Sequence, residues 1–578
     1  MLEWIESIAG NLAEVVNGIL GPAAGFLEGY VWSWPEKVPL LAAVLLGTGL
    51  LVTVRLAFVQ IRGFKHAVDI TRGVYDNPED EGDLNHFQAL TTALSATVGI
   101  GNIAGVAIAV RMGGPGALFW MWVTAFFGMA LKYAECTLAL KYRKINPDGS
   151  VSGGPMYYIE KGLGKRWRPV AFLFASCAVI SSFGGGCMNQ SNTLATKLQN
   201  IKVPLMETEF GIPAVWSSLI FASLLALVII GGIKRIGLVT SFLAPGMAVL
   251  YVGGALVILA INFTAVPAAF ATIVKQAFLP DAMVGGAAGS LLLTVMWGIR
   301  RGLFSNEAGQ GSAPIAHATA KTKEPVREGL VASLEPFIDT LVICTMTGLV
   351  IVLSGAYRDK VERTLPLGGI TAVPVAASTD GELRDFLRGG TMIGPSRVEV
   401  LDGRPQGATF LHLNAVVEDV VMTEDDGSSW NGTITLAPDG TVTAGSETGK
   451  DPSVTGRALL TGAELTAHSF SKELGDLGDL IVTLAVVLFA VSTGISWSYY
   501  GDRSTEYVFG SWAIPIYRWV FVAFFFLGGI LPLKAVWTFG DVALGLMSFP
   551  NLIALVLLSG SVVAMTREYF SREHKPYR

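Results

Sequence analysis

Long apolar runs separated by short polar stretches dominate this chain. A bilayer core about 30 Å thick needs about 20 mainly apolar residues per crossing helix. Such runs fall near 38–60, 87–110, 115–141, 168–198, 213–233, 237–263, 284–305, 329–355, 478–500, 511–533 and 541–565. The pattern predicts an all-α polytopic membrane protein with about eleven transmembrane helices. It changes between residues 358 and 475. There "GATFLHLNAVVEDVVM" and "SSWNGTITLAPDGTVTAG" alternate residue types and are broken by "PDG" and "NGT" turns. This predicts a small β or α+β insertion domain with a hairpin at "LAPDGTVT". At the start of the chain, Trp4, Ile5, Ile8, Leu12, Val15 and Val16 share one face of a helix expected to lie at the membrane surface. Its acidic beginning and interrupted apolar core argue against a signal peptide.

Composition supports the membrane reading. The 578 residues are 51% hydrophobic and 15% charged, whereas soluble domains are about 25% charged. The formal net charge of -5 is unevenly spread, with the acid excess concentrated in 358–475. No concentrated basic face suggests nucleic acid binding. Cys136, Cys177, Cys187 and Cys344 all lie in apolar stretches without CxxC spacing, so they are expected as buried free thiols.

Loop charge sets the orientation. Loops 61–86, 142–167, 234–236, 306–328 and 501–510 and the C-terminal tail, with their flanks, hold about twenty Lys and Arg, and the alternating set about six. The tail is therefore expected in the cytoplasm of a bacterial or archaeal cell, with the N-terminus and 358–475 outside. The expected segments are 1–86 (surface helix and extra transmembrane helix), 87–263 (first repeat), 284–357 and 476–566 (second repeat), 358–475 (insertion) and 567–578 (tail).

The polar peculiarities lie inside the spans, where each must offset its desolvation. "ATVGIGNIAGVAIAV" (96–110) carries Gly99, Gly101 and Gly105 in an otherwise apolar helix, and each glycine weakens it by about 1 kcal/mol relative to alanine. Two readings compete: glycines that let helices pack closely, or an unwound backbone whose carbonyls take Na⁺ and whose amides near Asn102 take a carboxylate. A second interrupted run, "LLLTVMWGIRRGLFSNEAGQGSAP" (291–314), shifts the balance to the second reading. Discounting the first span, these are the first and sixth of ten. Broken helices at corresponding positions of two inverted halves point to a transporter's binding site.

Ser492 and Thr493 in "VSTGISWSYYGDRSTEYVFG" offer either ligands or hydroxyls bonded back to their own helix. Trp497, one turn from Thr493, either walls a small cavity or packs. Gln190 in "SSFGGGCMNQSNT" bonds either a substrate or a neighbouring helix. Lys132 and Glu135 are expected to neutralise one another or to snorkel. Arg300 and Arg301 form either an inner gate with Asp502 or Glu307, or local pairs. The absence of a Walker loop excludes the usual ATP-driven machinery.

Blocks along the chain bring a resemblance. "GNIAGVA" (101–107), "GGPGALFWMWVTAFFG" (113–128), "GGPMYYI" (153–159), "RGLFSNEAGQGSAPIAHA" (301–318) and "STGISWSYYGDR" (492–503) resemble, in order, those of the alanine or glycine:cation symporters, the sodium:alanine symporter family. The resemblance implies a five-plus-five inverted repeat, leucine-transporter-like, plus one N-terminal helix. It also implies import of small neutral amino acids, alanine or glycine, with Na⁺ or H⁺ and no further cofactor; no enzyme chemistry is expected. Carried over, the substrate site comprises Gly99, Gly101, Asn102, Phe183, Gln190, Thr493 and Trp497. The Na⁺ site comprises Thr97, Val98, Gly101, Ser492 and Thr493. The insertion departs from the family pattern, which leaves two further readings: an amino-acid sensor that uses the external domain with a protein partner, or an H⁺-coupled symporter.

Overall fold

The computed structural model describes residues 25–577 except 28, 36–38, 148, 200, 203–208, 280–290, 366, 375–396, 414, 425, 438–439, 446–451 and 532. The amphipathic helix expected from Trp4 to Val16 lies outside the described residues.

The main helices of the first part are Leu40–Arg55 (α1), His86–Thr97 (α2), Val106–Gly113 (α3), Ala117–Lys141 (α4), Arg168–Phe183 (α5) and Asn189–Leu198 (α6). Ala214–Ile229 (α7), Gly232–Ile261 (α8) and Val266–Phe278 (α9) follow. The second part holds Leu291–Asn306 (α10), Ala313–His317 (α11), Pro325–Ala332 (α12), Thr345–Ser354 (α13) and Gly462–Leu474 (α14). It ends with Asp476–Phe509 (α15), Ile514–Ile530 (α16) and Leu533–Phe570 (α17).

Among the described residues, seven helical stretches are long and apolar enough to cross a membrane, and α2 with Gly101–Gly113, bent by 52°, makes an eighth. Other expected spans correspond to shorter helices: α1, α7 and α10, with the expected start of α10 at 284 outside the described residues. Apolar side chains cover the outer surface, as on α7 (Leu219, Ile220, Leu224, Leu227) and α8 (Leu238, Phe242, Val249). Lipid is the solvent that makes such a surface stable.

The most extensive helix packing sets α4 against α10 and α12, α7 against α16, α5 against α15 and α17, and α2 against α8. The start of α2 is set by a capping box. Asn85 Oδ1 accepts from Gln88 N at 2.8 Å and Gln88 Oε1 accepts from Asn85 N at 3.2 Å.

The insertion is built of antiparallel strands: Lys360–Leu365 (β1), Ile370–Pro374 (β2), Arg397–Leu401 (β3), Arg404–Pro405 (β4), Ala408–His412 (β5), Ala415–Val416 (β6), Glu418–Thr423 (β7), Gly432–Leu436 (β8), Val442–Gly445 (β9) and Ser453–Leu459 (β10). They form three small sheets in the orders β6-β5-β2, β7-β10-β1 and β9-β8-β3-β4. The expected hairpin is β8–β9, with Thr433 opposite Gly445. The strands enclose their own apolar core around Trp430, Phe410 and Ile434. β10 runs directly into α14. Lys472 and His468 of α14 reach Asp359 beside β1 at 2.9 and 3.1 Å. Burial pushes the Asp359 carboxyl up, but these two hydrogen bonds outweigh it and hold the group below the usual carboxylate range.

The four cysteines are free and buried, as expected. Lys132 corrects an expectation. Its ammonium neither snorkels nor pairs directly with Glu135; it is fully buried and bonds Glu335 Oε2 at 3.1 Å. Glu135 instead accepts from Asn551 Nδ2 at 2.6 Å. Helix α4 is covered on this face by α12 and the segment after it, so no route to the interface exists for a long side chain.

Breaking a buried pair from one side costs about 3–5 kcal/mol. Lys132→Met should lower stability by this much in a thermal unfolding series in detergent, and adding Glu335→Gln should recover part of the loss.

Candidate functional site

Three of the segments that leave α-helical geometry border one chamber. Helix α2 stops at Thr97, and Val98 takes φ -73 and ψ 83 before a wide turn over Gly101–Gly105 starts α3. Helix α5 gives way to a wide turn at Gly184–Met188 before α6. Helix α10 ends at Asn306, and Glu307, Gly309 and Gly311 follow with φ of 53, 84 and 86. Wide turns inside helices often mark functional sites. Their glycines allow the close approach: a Cβ on Gly99 would lie 2.6 Å from Thr493 Oγ1.

Where these breaks meet α15 and α17 they enclose a chamber of about 60 Å³. At about 10–15 Å³ per water, it has room for a solute of a few heavy atoms. A larger groove of about 690 Å³ lies between α2, α8, residues 68–76 and 334–343; its lining is mainly apolar, with Arg72, Asp76 and Asn85 among the polar members, and of the residues at these three breaks it holds only Val98. Polar groups of both signs converge in the small chamber: Arg301, Glu307, Asn189, Gln190, Thr97 and Thr493.

Their partners define what is left to bind. Glu307 Oε1 accepts from Trp497 Nε1 at 3.1 Å, and its other oxygen from the Ser312 hydroxyl. Gln190 Nε2 donates to Gly185 O at 3.0 Å. Gln190 Oε1 and Asn189 Oδ1 are buried acceptors with no hydrogen-bond partner. Buried polar atoms are rarely left unpaired without a reason; two such carbonyls on residues that line the chamber are able to accept from N–H donors. Ile100, Phe304, Trp497 and Leu544 supply apolar lining.

Of the residues expected at the substrate site, Gly99, Gly101, Gln190, Thr493 and Trp497 line the chamber, and Asn102 and Phe183 do not. Asn102 is fully buried behind the break and saturated there. Its Oδ1 accepts from Gly99 N at 2.9 Å, and its Nδ2 donates to Asp339 Oδ1 at 2.6 Å and Ser305 Oγ at 3.2 Å. It therefore closes the interrupted backbone rather than facing a solute. Phe183 packs among Tyr517, Phe521 and Phe524, with ring centroids 4.8–6.1 Å away.

Among the expected ion ligands, Thr97 and Thr493 reach the chamber, while Val98 lines the apolar groove. The Gly101 carbonyl accepts from Val106 N. Ser492 Oγ donates to Phe489 O at 3.0 Å and faces Met247 Sδ at 3.4 Å. Thr493 Oγ1 donates to Ser95 O at 3.1 Å. The suggested gate divides: Arg301 and Glu307 line the chamber, Arg300 stacks on Trp32 and Trp297, and Asp502 pairs with Arg518 at 2.5 Å. Asp502 is tied there because Arg518 of α16 lies across from it.

Several contributors escaped the sequence reading. Asn189 adjoins Gln190 in the same glycine-rich block, and adjacency was the available signal. Asp339, an acid within an apolar run, accepts from Ser305 Oγ at 2.6 Å and Thr340 Oγ1 at 2.7 Å besides Asn102. An ionisable residue inside a span is itself a signal. Leu544 carries no sequence signal beyond hydrophobicity.

Residues 22–379 and 443–577 match the sodium:alanine symporter family. The sodium/alanine symporter AgcS of Methanococcus maripaludis is 38% identical over 545 residues, covering 94% of this chain and 96% of that protein. The "Probable sodium/glutamine symporter GlnT" of Bacillus subtilis is 32% identical over 553 residues, with 95% and 91% covered. The amino-acid carrier protein AlsT of Bacillus subtilis is 30% identical over 544 residues, with 93% and 90% covered.

The scaffold role of Asn102 separates it from chamber residues. Asn102→Ala strands the Gly99 amide and takes the Asn102 donor from Asp339 Oδ1, so it should cost about 2–5 kcal/mol in ligand-free thermal unfolding. Gln190→Ala should cost about 1 kcal/mol or less, because one of its polar ends has no partner to lose.

Proposed function

Because the chain belongs to the sodium:alanine symporter family of membrane transporters, we propose that it imports small neutral amino acids, alanine or glycine, by Na⁺-coupled alternating access. The observation that carries this reading is the chamber of about 60 Å³ whose charged lining has both signs. A zwitterion of a few heavy atoms fits that arrangement. Its carboxylate faces Arg301 and the loosened backbone at Ile100–Gly101, beyond the Gly99 amide that Asn102 already holds. Its ammonium is received by Gln190 Oε1, Asn189 Oδ1 and Glu307, which offer acceptors and a negative charge. Trp497, Phe304, Ile100 and Leu544 limit the side chain.

Na⁺ fits the donor chemistry beside the chamber. It is a hard ion that takes oxygen ligands, and the α2–α15 interface holds Thr97, Ser492 and Thr493. Ser95 Oγ and Ser496 Oγ on the same two helices are buried without hydrogen-bond partners. Ser492 and Thr493 donate their protons to carbonyls, so their lone pairs stay available. With Na⁺ bound, positive charge between α2 and α15 favours the carboxylate end of the substrate. The two broken segments, at 98–105 and 307–311, support a five-plus-five inverted repeat in which one half rocks against the other. The orientation follows the loop charges, with 358–475 outside and the tail in the cytoplasm.

The insertion adds a contact on the outer side. Thr466 of α14, directly continuous with β10, donates to Ile103 O at 3.0 Å in the first break. The external domain is thus linked to the segment that holds substrate, which favours control of access as its role.

Reconstituted protein should accumulate labelled alanine when Na⁺ is supplied outside, and replacement of Na⁺ by choline should abolish uptake. Uptake that persists without Na⁺ and follows an imposed pH gradient would assign the coupling to H⁺. No uptake in either condition, with amino acid bound by the intact protein, would favour the sensor. In the same assay Gly99→Ala should lose uptake by about tenfold or more while remaining folded. Trp497→Ala should admit bulkier neutral amino acids, checked by competition.

A further inference from the structure

The groove of about 690 Å³ along α2 is built differently from the chamber. Its wall on α2 is Phe87, Leu90, Thr91, Leu94 and Val98, which recur at helical spacing and so form one face. At about 1.5 Å per residue, the rise from Phe87 to Val98 is about 16 Å, close to half of a hydrocarbon core about 30 Å thick. The groove is therefore about one leaflet deep.

The facing wall is α8, through Ala244, Pro245, Met247 and Ala248, and Leu334, Ile338 and Ile343 close a third side. Leu90, Leu94, Met247 and Leu334 are buried, whereas Phe87 is 40% exposed. Pro245 is exposed too, and it shares an i, i+3, i+7 stripe with Phe242 and Val249 on the outward apolar face of α8. The groove thus opens sideways, toward the bilayer.

Its charged members gather at one end. His86 Nε2 lies 3.9 Å from Asp76 Oδ1, so the segment 72–76 stands beside the first residue of α2. Asn85 caps the same helix. Arg72, Asp76 and Asn85 therefore mark the mouth. Arg72 is exposed, and among the described residues no side chain pairs with its guanidinium. The Asp76 side chain is 31% exposed. Thr71 and Thr91 spend their hydroxyl protons on their own helices, at Ala67 O (2.8 Å) and Phe87 O (2.9 Å). An apolar cleft one leaflet deep, with a cation and a carboxylate at its mouth, matches a phospholipid whose headgroup carries a phosphate and an ammonium. A headgroup of net negative charge would meet Asp76 as a like charge.

We propose that this groove binds one phospholipid of the phosphatidylethanolamine class. The phosphodiester pairs with Arg72 and the ammonium with Asp76. One acyl chain lies along α2 and packs on Val98, where that helix stops. It covers a stripe of α2 that α8 leaves open. The site needs only a chain that crosses a membrane, whatever that chain carries.

The test uses the full-length protein in vesicles of equal parts dioleoyl phosphatidylethanolamine and dioleoyl phosphatidylglycerol. After gentle extraction, native mass spectrometry should find one phosphatidylethanolamine retained, several-fold in preference to phosphatidylglycerol. Arg72→Gln, at an exposed position, and Ala248→Trp, which narrows the groove from α8, should each lower the retained fraction several-fold. Both should elute as the wild type in gel filtration. A phosphatidylethanolamine with a diazirine in mid-chain should cross-link to peptides from 87–98 or 244–248. Equal retention of the two lipids, retention unchanged in both variants, or cross-links confined to other segments overturns the site. Extraction of a lipid-free wild type, the result for a groove filled with water, overturns it as well. Should Ala248→Trp aggregate, Arg72→Gln and the cross-links still decide.

Discussion

A helix that stops inside a bilayer exposes backbone groups that lipid cannot satisfy, and this structure is organised around meeting that need at residues 98–105. Asn102 does most of it with one side chain. Its carbonyl takes the Gly99 amide and its amide ties the break to Ser305 and Asp339. Hydroxyls from neighbouring helices take the next two carbonyls: Thr347 at Asn102 O, 2.9 Å, and Thr466 at Ile103 O, 3.0 Å. A break secured on its outer face in this way can leave its inner face, at Gly99–Gly101, to line a chamber.

Charge is handled by the same rule. Desolvating a lone ion costs several kcal/mol even after relaxation, and the buried ions here are correspondingly paired or netted with donors. Lys132, His317, Glu328 and Glu335 bond one another across four segments. Glu307 stands at the edge of the chamber with Trp497 and Ser312 as its donors. The result is a polar interior divided into two parts. One is a closed acid–base array that ties the bundle together, and the other is a small chamber with unpaired acceptors.

Much of this was legible along the chain. The apolar runs coincide with the seven or eight candidate spans among the described residues and with shorter helices, the alternation in 358–475 identified the sheets, and the paired glycine-rich interruptions fall at two breaks beside the chamber. The resemblance named Gln190, Thr493 and Trp497, and these three line the chamber. Asn102 and Phe183 show the limit of that approach. A polar residue beside a break was read as a ligand because spacing reports proximity to a site, not the direction of a side chain. The array of His86, Glu328, His317, Glu335 and Lys132 was invisible because its members are scattered over about 250 positions of sequence; of the five only Lys132, inside a span, stood out, and its partner lies 203 positions away.

Hydrophobicity over windows of about 20 residues is a one-dimensional property, so the sequence alone determined that the chain crosses a membrane, where its helices are weak, and where a β insertion interrupts them. Which polar atoms remain unpaired is not one-dimensional. It depends on whether another helix arrives with a donor at 3 Å, and only the tertiary structure decided that Asn102 is a brace and that Asn189 and Gln190 present empty carbonyls.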